Sequence, residues 1–371
     1  MSDARPTTGP KDTSGLTGDA APVSSLLPAF GFTADQMATD ANVAAWREAV
    51  ATLFDVDDLA AGEPGPFRAD ISSYAMGPVL IGMSRASGQR FRRTAETIAR
   101  SGVDHIILQL YLKGGFDGIA DARPVRVRAG DICLFDLAQT LETRATAFEN
   151  VTLVVPRPMF GPYLLRVGDL HGLVLPESGV IARLLAGHLA ALLEFAPRMT
   201  LDECQSVVEG TVSLLAACLR NELERVEADA DHSAAVNPSL IRIRQYIEAG
   251  LGSEDLSAHS VAAHFGLSRA SLYRLFAPVG GIADYIRSRR LHRAFFDLAN
   301  SDARAQRISE VARRWQLGTD AHFTRSFKAA YGITPRAARE AALLGVQRGA
   351  DAANGATISR WMREIAPPGT D

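Results

Sequence analysis

The chain has 371 residues, is 47% hydrophobic and 22% charged, and carries a formal net charge of -3. That length fits two or three domains and that composition excludes a disordered chain. Three cysteines (Cys133, Cys204 and Cys218) are too few for a disulfide framework, no apolar run reaches transmembrane length, and residues 1–25 lack an apolar signal core; the expectation is a cytoplasmic protein that does not contact a membrane.

Residues 1–25, rich in Ser, Thr, Gly, Pro and Asp, read as a flexible tail. A helix is expected over 40–54, capped by Asp40, with Val43, Trp46, Val50, Leu53 and Phe54 on one stripe. From 67 to 158 short apolar or alternating runs follow, at 79–83, 106–112, 125–128, 132–135 and 151–155, separated by Gly, Pro and Asp. Such spacing predicts an antiparallel sandwich or barrel. If the alternation is phased inward at Ile107, the interior positions include Ile107, Gln109, Tyr111, Cys133 and Phe135, and His105 is a core or pocket hydrogen-bonding group. Arg90, Arg92 and Arg93 read as surface charge, with a grip on an acidic effector as the alternative.

The period turns helical from residue 178. Ile181, Leu184, Leu185, His188, Leu192 and Phe195 share a face, and Pro197 interrupts. A second helix is expected over 200–226 with the stripe Leu201, Cys204, Val208, Thr211, Leu215 and Cys218. That three-four alternation suits either packing on the chain's own barrel or a dimer seam. Residues 229–237 read as a linker, and residues 346–371 as a second flexible tail with at most one short helix, at 358–365.

The net charge hides an asymmetry. Residues 238–345 hold 16 Lys+Arg against 9 Asp+Glu, a balance of +7, and the remainder of the chain holds 23 against 33, a balance of -10. A basic module joined to an acidic remainder suggests nucleic-acid binding. The basic region contains a duplicated unit, LSAHSVAAHFGLSRASLYRLF at 256–276 and RISEVARRWQLGTDAHFTRSF at 307–327. Ala262 and Ala312 are small enough for a close helix crossing. Gly266 suits a turn with positive φ, Ser268 can cap the helix that follows, and Leu267 and Leu317 plug the core beneath. The second helix of the first unit turns Leu272, Leu275 and Phe276 inward and Arg269, Ala270, Tyr273 and Arg274 outward. The second unit turns Phe323 and Phe327 inward and Asp320, Ala321, His322, Thr324 and Arg325 outward. Arginine for guanine or phosphate, with small residues for close approach, is what a recognition helix requires.

These residues, with Tyr285, Arg290-Leu291, Ala294, Ile308 to Ala312, Trp315, Tyr331-Gly332 and Thr334-Pro335, resemble the DNA-binding domain of AraC/XylS-family transcriptional regulators over about 238–340. The resemblance implies two recognition helices joined by a long helix at 283–299. They would enter successive major-groove segments about 34 Å apart. Arg269, Ala270, Tyr273, Arg274, Arg290, Asp320, Ala321, His322, Thr324 and Arg325 are the expected DNA-binding set, Arg269 as a phosphate clamp and Arg274 as a base reader. The chain departs from the family in the second turn, where Gln316-Leu317 replaces Gly-aromatic. Thr319 stands where an Asp is usual, and Asp320 places a negative charge on the DNA face.

The β-rich region is similar to the cupin-like ligand-binding domain that precedes this module in the family, through Ala45-Trp46-Arg47, the run at 105–110 and Ala129-Gly130-Asp131-Ile132. The expected architecture is α+β: a cupin-like sensor at 26–177, a helical, dimer-forming segment at 178–228 with Leu201, Cys204, Val208, Leu215 and Cys218 on its seam, and an all-α double helix-turn-helix domain at 238–345. The resemblance implies double-stranded DNA, RNA polymerase, a small-molecule effector and a second copy of the chain as partners, and most often activation. No cofactor, metal or catalytic residue is expected. Residues 67–158 hold one histidine, His105, where a cupin metalloenzyme needs several, so that enzyme, like a barrel serving only for assembly, is the alternative.

Overall fold

The structure is a computed structural model that describes residues 26–33, 39–57, 66–160, 167–230, 238–277, 280–299, 306–351 and 362. The tail expected at 1–25, the stretch 231–237 of the expected linker and, apart from Met362, the helix expected at 358–365 lie outside the described residues.

The first half runs β1 (Ala29–Thr33), α1 (Thr39–Val50), β2 (Asp55–Asp57), β3 (Ala69–Met76), β4 (Val79–Ala86), β5 (Gln89–Arg93), α2 (Ala95–Ser101), β6 (Ile106–Lys113), β7 (Phe116–Ala120), β8 (Arg123–Val127), β9 (Ile132–Asp136), β10 (Leu141–Ala145), β11 (Phe148–Val155), α3 (Arg157–Phe160) and β12 (Leu173–Leu175). Two antiparallel sheets result, in the orders β1-β3-β4-β11-β6-β9-β12 and β2-β5-β10-β7-β8. Their facing sides, with α1, enclose one core that includes Trp46, Phe54, Ile107, Tyr111, Phe116, Phe135 and Phe148.

The outer face of the large sheet is buried as well. Strand β6 sends Ile107 and Tyr111 into the barrel and Ile106, Leu108 and Leu110 onto the helices that follow. Those helices are α4 (Val180–Phe195) and α5 (Leu201–Ala230). The continuous apolar run of β6 is the sequence trace of a strand covered on both faces.

This packing corrects three expectations. On α5, Cys204, Val208, Thr211, Leu215 and Cys218 are buried within the protomer, and only Leu201 of the expected dimer seam is exposed. The outer face of the barrel takes that stripe, so it has no surface left for a partner. On α4 the buried face is Ala182, Leu185, Leu189 and Leu192, rotated from the expected one, which leaves Leu184 and Phe195 exposed. The 19-residue stretch Val180–Arg198 also has the length and composition of a membrane span, although one of its faces packs on the barrel.

The arginines of β5 divide by strand register. Arg90 pairs with Glu142, and Arg92 pairs with Asp57 at 2.5 Å, as surface charges do. Arg93 is fully buried instead. Its guanidinium donates to the carbonyls of Leu137, Thr52, Leu53 and Val103 and to Ser101 Oγ, at 2.7–3.1 Å. Burial lowers its pKa to about 9. It ties β5 to the end of α1, to α2 and to the strand end beyond β9, so it is neither surface charge nor an effector grip.

The second half is helical: α6 (Pro238–Gly250), α7 (Ala258–His264), α8 (Arg269–Phe276), α9 (Ile282–Ala299), α10 (Ile308–Arg314), α11 (Asp320–Tyr331) and α12 (Pro335–Asp351). Helices α7–α8 and α10–α11 are the duplicated units, and α9 joins them. Helix α12 runs past Gly345 into the expected tail. One glycine costs about 1 kcal/mol in a helix, and alanines at 337, 338, 341 and 342 offset it. The two halves are in contact: Ile98 and Ala99 of α2 pack in one core with Ala294 and Leu298 of α9, Phe323 and Phe327 of α11, and Ala338 and Ala342 of α12.

The two turns differ in chemistry but share a conformation. Gly266 has φ 63°, and Gln316, at the matching position, has φ 54°. A left-handed backbone costs a residue with a Cβ about 1–2 kcal/mol, and glycine returns part of that through its larger unfolded entropy. Gln316→Gly is therefore expected to raise, and Gly266→Ala to lower, the unfolding free energy of the helical half by about 0.5–1 kcal/mol each, read as opposite shifts of the urea midpoint. Equal midpoints for the two variants would show that the turns carry no such strain.

Buried histidines give the fold an acid limit. His171 accepts a hydrogen bond at Nδ1 from the Asp136 amide at 3.2 Å, which leaves Nε2–H to donate to the Thr140 carbonyl at 2.9 Å. Burial lowers the pKa values of His171, His105 and His292 from 6.5. Below that value the unfolded chain takes up protons that the folded chain refuses, so stability is lost as pH falls. The melting temperature should drop between about pH 7 and about pH 5, with a shallower slope in His171→Gln.

Candidate DNA-binding surface and effector cavity

Each recognition helix begins with a side-chain cap. Ser268 Oγ accepts from the Ser271 amide at 3.1 Å, and Thr319 Oγ1 from the His322 amide at 3.4 Å. Thr319 thus fills the capping role of the family's usual Asp. On α8, Leu272 and Phe276 are buried, while Arg269, Ala270, Tyr273 and Arg274 are exposed, Tyr273 at 49%. On α11, Phe323 and Phe327 are buried. Asp320, Ala321, His322 and Arg325 are exposed, and Thr324 is half-buried. Ala262 and Ala312 are buried in their units at the expected crossings.

Arg269 Nη2 lies 3.4 Å from His259 Nδ1 on the preceding helix, a contact that orients the guanidinium beside the start of α8. Asp320 stands in the first turn of α11, where a carboxylate complements the helix dipole. Its charge therefore has a structural use on a face that otherwise presents His322 and Arg325.

Arg290 departs from the expected DNA-binding set. Its Nε donates to the Leu251 carbonyl and its Nη2 to the Ser253 carbonyl, both at 2.8 Å. The side chain is half-buried and holds α9 against the loop between α6 and α7. Two backbone carbonyls in reach outcompete solvent for this guanidinium, so Arg290 is a tether rather than a free phosphate contact.

Within the barrel lies a cavity of about 100 Å³. Gln109, Tyr111 and Phe135 of the expected pocket line it. Ile107 and Cys133 are buried in the same core without lining it, and His105 lies near its end, with Nε2 2.7 Å from the Met362 carbonyl. Burial pushes the Cys133 thiol well up, which keeps it inert. The expected inward phase of β6 matches the structure, but the cavity occupies only part of the interior. Sequence reading missed Trp46 as a wall residue, along with Ser73, Phe91, Phe116, Asn150, Thr152 and Met362. Period-two alternation on β11 puts Asn150, Thr152 and Val154 on one face and could have revealed the first two of these. Met362 carries no local signal, because it is 257 residues from His105. Among the described residues no group of three or more His, Cys, Asp or Glu side chains is placed to hold a metal ion.

Comparison with known proteins agrees with this geometry. A helix-turn-helix domain family matches residues 261–341. The AraC-binding-like domain family matches residues 46–236, more than half of the chain. The transcriptional activator NphR of a Rhodococcus species is 23% identical over 299 residues, covering 78% of this chain and 86% of NphR. The transcriptional activator AarP of Providencia stuartii is 28% identical over 106 residues, covering 28% of this chain and 76% of AarP. Among solved structures, the AraC-like transcriptional activator CuxR aligns with a TM-score of 0.48 at 27% identity, covering 73% of this chain and 96% of CuxR. An AraC-binding-like barrel followed by two capped helix-turn-helix units makes this chain a member of the AraC family of DNA-binding transcriptional regulators.

Proposed function

We propose that the chain is an effector-responsive transcriptional activator that works as a homodimer in the cytoplasm. The observation that carries this reading is the docking of α2, an element of the barrel, in the hydrophobic core of the second helix-turn-helix unit. A change in the barrel that moves α2 must repack Ala294, Leu298, Ala338 and Ala342, and so shift how α11 is presented. A polar contact crosses the same boundary: His292 of α9 sits 4.0 Å from Asp104, a carboxylate that Arg157 of the barrel half also pairs with. The activator names of NphR and AarP support the sign of the response and, with it, RNA polymerase as a partner.

The dimer surface we assign is the exposed face of α4, with Val180 (72% exposed), Leu184, Gly187, Ala191 and Phe195 at three- and four-residue spacing. An apolar stripe with small residues at its centre allows two helices to approach closely. Leu184→Glu is expected to convert a dimer to a monomer in light scattering without lowering the melting temperature. A monomeric wild type, or a dimeric variant, would redirect the assignment elsewhere.

For DNA, the reading gives Arg274 base contact and Arg269 phosphate contact. Sites recovered by in vitro selection with the full chain should bind with a steep loss of affinity as salt rises. Arg274→Ala should cost about 1–3 kcal/mol and relax the preference at one position. Arg269→Ala should weaken all sites alike. Selection that recovers no salt-sensitive duplex would defeat the reading.

A further inference from the structure

The wall of the barrel cavity is divided into two chemistries. On the large sheet, strand register lines up polar residues: Ser73 of β3 lies opposite Gly82 of β4, Gly82 opposite Thr152 of β11, and Thr152 opposite Gln109 of β6. The adjoining row sets Ser84 opposite Asn150 and Asn150 opposite Tyr111. These groups are linked. Gln109 Nε2 donates to Thr152 Oγ1 at 3.2 Å, Thr152 Oγ1 donates to Asn150 Oδ1 at 3.3 Å, and a side-chain hydrogen bond joins Asn150 to Tyr111. Gly82 keeps the row open, since a Cβ there would stand 2.4 Å from Ser73 Oγ. The remaining wall is apolar: aliphatic side chains are interleaved with the rings of Phe54, Phe91, Phe116, Phe135, Phe148 and Trp46. The Trp46 indole N–H is already bonded to Gln89 at 2.6 Å, so the ring offers its face and not a donor.

No charged side chain is among the described residues that line it. An ion entering this cavity would lose its hydration with no counter-charge among those residues, which strongly disfavours it. Aromatic walls favour a flat ring through offset and edge contacts. The polar row supplies amide and hydroxyl groups for a neutral substituent.

Size adds a second condition. An apolar cavity of roughly 150 Å³ accepts one benzene, and this cavity measures about 100 Å³. The deficit coincides with Met362, whose side chain is 3% exposed, packs in the barrel core and lines the cavity. Its carbonyl is held by His105 Nε2, whose ring is buried with Nδ1 lacking a hydrogen-bond partner. A methionine is a flexible filler that yields its place readily. It also follows the DNA-binding half in the chain, beyond α12.

We propose that the barrel cavity takes a neutral, single-ring aromatic molecule with a hydrogen-bonding substituent, and that this ligand enters by displacing the side chain of Met362. The proposal rests on the reading of the barrel as a sensor and names what it senses. Met362 is then the occupant of the unliganded state.

Calorimetric titration of the full chain near pH 7.5 tests it with five probes: phenol and benzamide as neutral rings with a polar substituent, toluene as one without, benzoate as a charged ring, and cyclohexanol as a neutral ring without aromaticity. The expected result is one-to-one binding of phenol or benzamide, at least tenfold tighter than benzoate or cyclohexanol. Met362→Ala should tighten binding of the neutral ring at least fivefold, and Met362→Leu, which keeps a filler, should match the wild type. Gln109→Leu should weaken the substituted ring by about tenfold and leave toluene unchanged. Benzoate binding as tightly as the neutral rings overturns the ligand class, and equal affinities for folded Met362→Ala and wild type overturn the displacement. If neither neutral ring binds, the proposal fails. The sensor reading fails separately, only if no compound in a broad metabolite screen shifts the melting temperature of a preparation that still binds its selected DNA.

Discussion

The structure depends on a sheet that is buried on both faces. Strands β3, β4, β11 and β6 present one set of side chains to the cavity and the alternate set to α4 and α5. Because strand side chains alternate strictly, a slip of one residue would exchange the two sets. On β6 it would put Gln109 against the apolar helices and Leu108 in the cavity. The same register that completes the hydrophobic layer with α5 therefore places the polar row of Ser73, Thr152 and Gln109 on the cavity wall. Stability and recognition are two faces of one pairing.

That layer also explains why the helices after the barrel divide their roles. Helix α5 supplies a full apolar stripe to the sheet, and its cysteines serve as small buried groups there. Helix α4 is apolar nearly all round but covers the barrel with only one face. A helix of that kind leaves a hydrophobic surface that water tolerates poorly, and association is the usual resolution.

The coupling between the halves rests on α2 and Arg93. Five hydrogen bonds from one buried guanidinium hold the end of α2, the end of α1 and the end of β9 in one arrangement. Such a group is strongly destabilising to remove, because its acceptors would be left unpaired in the interior. It also bonds β5, which carries Phe91 to the cavity wall, to the helix that packs against α9 and α12. Neighbouring arginines on the same strand are ordinary surface charges. Nothing in the run Arg90-Phe91-Arg92-Arg93 distinguishes the buried one except the strand's register, which only its partners decide.

The duplicated units, the cap at Ser268, the inward phenylalanines and the outward arginines were legible in the sequence, because helix-turn-helix geometry is local and each requirement falls within about twenty residues; the cap at Thr319 appeared only in the structure. So was the split of a net charge of -3 into a basic module and an acidic remainder. The sequence also determined the barrel class and the inward phase of β6, since period-two alternation is local too. Tertiary structure alone decided which apolar stripe faces a neighbour within the chain and which faces outward, as the exchange of roles between α4 and α5 shows. It alone turned Arg290 into a tether and Arg93 into a pin, by bringing distant carbonyls within 3.1 Å of their guanidinium groups. It alone brought Met362 to His105. Spacing along the chain carries no information about contacts of that range, because what places them is the burial of surfaces contributed by remote segments.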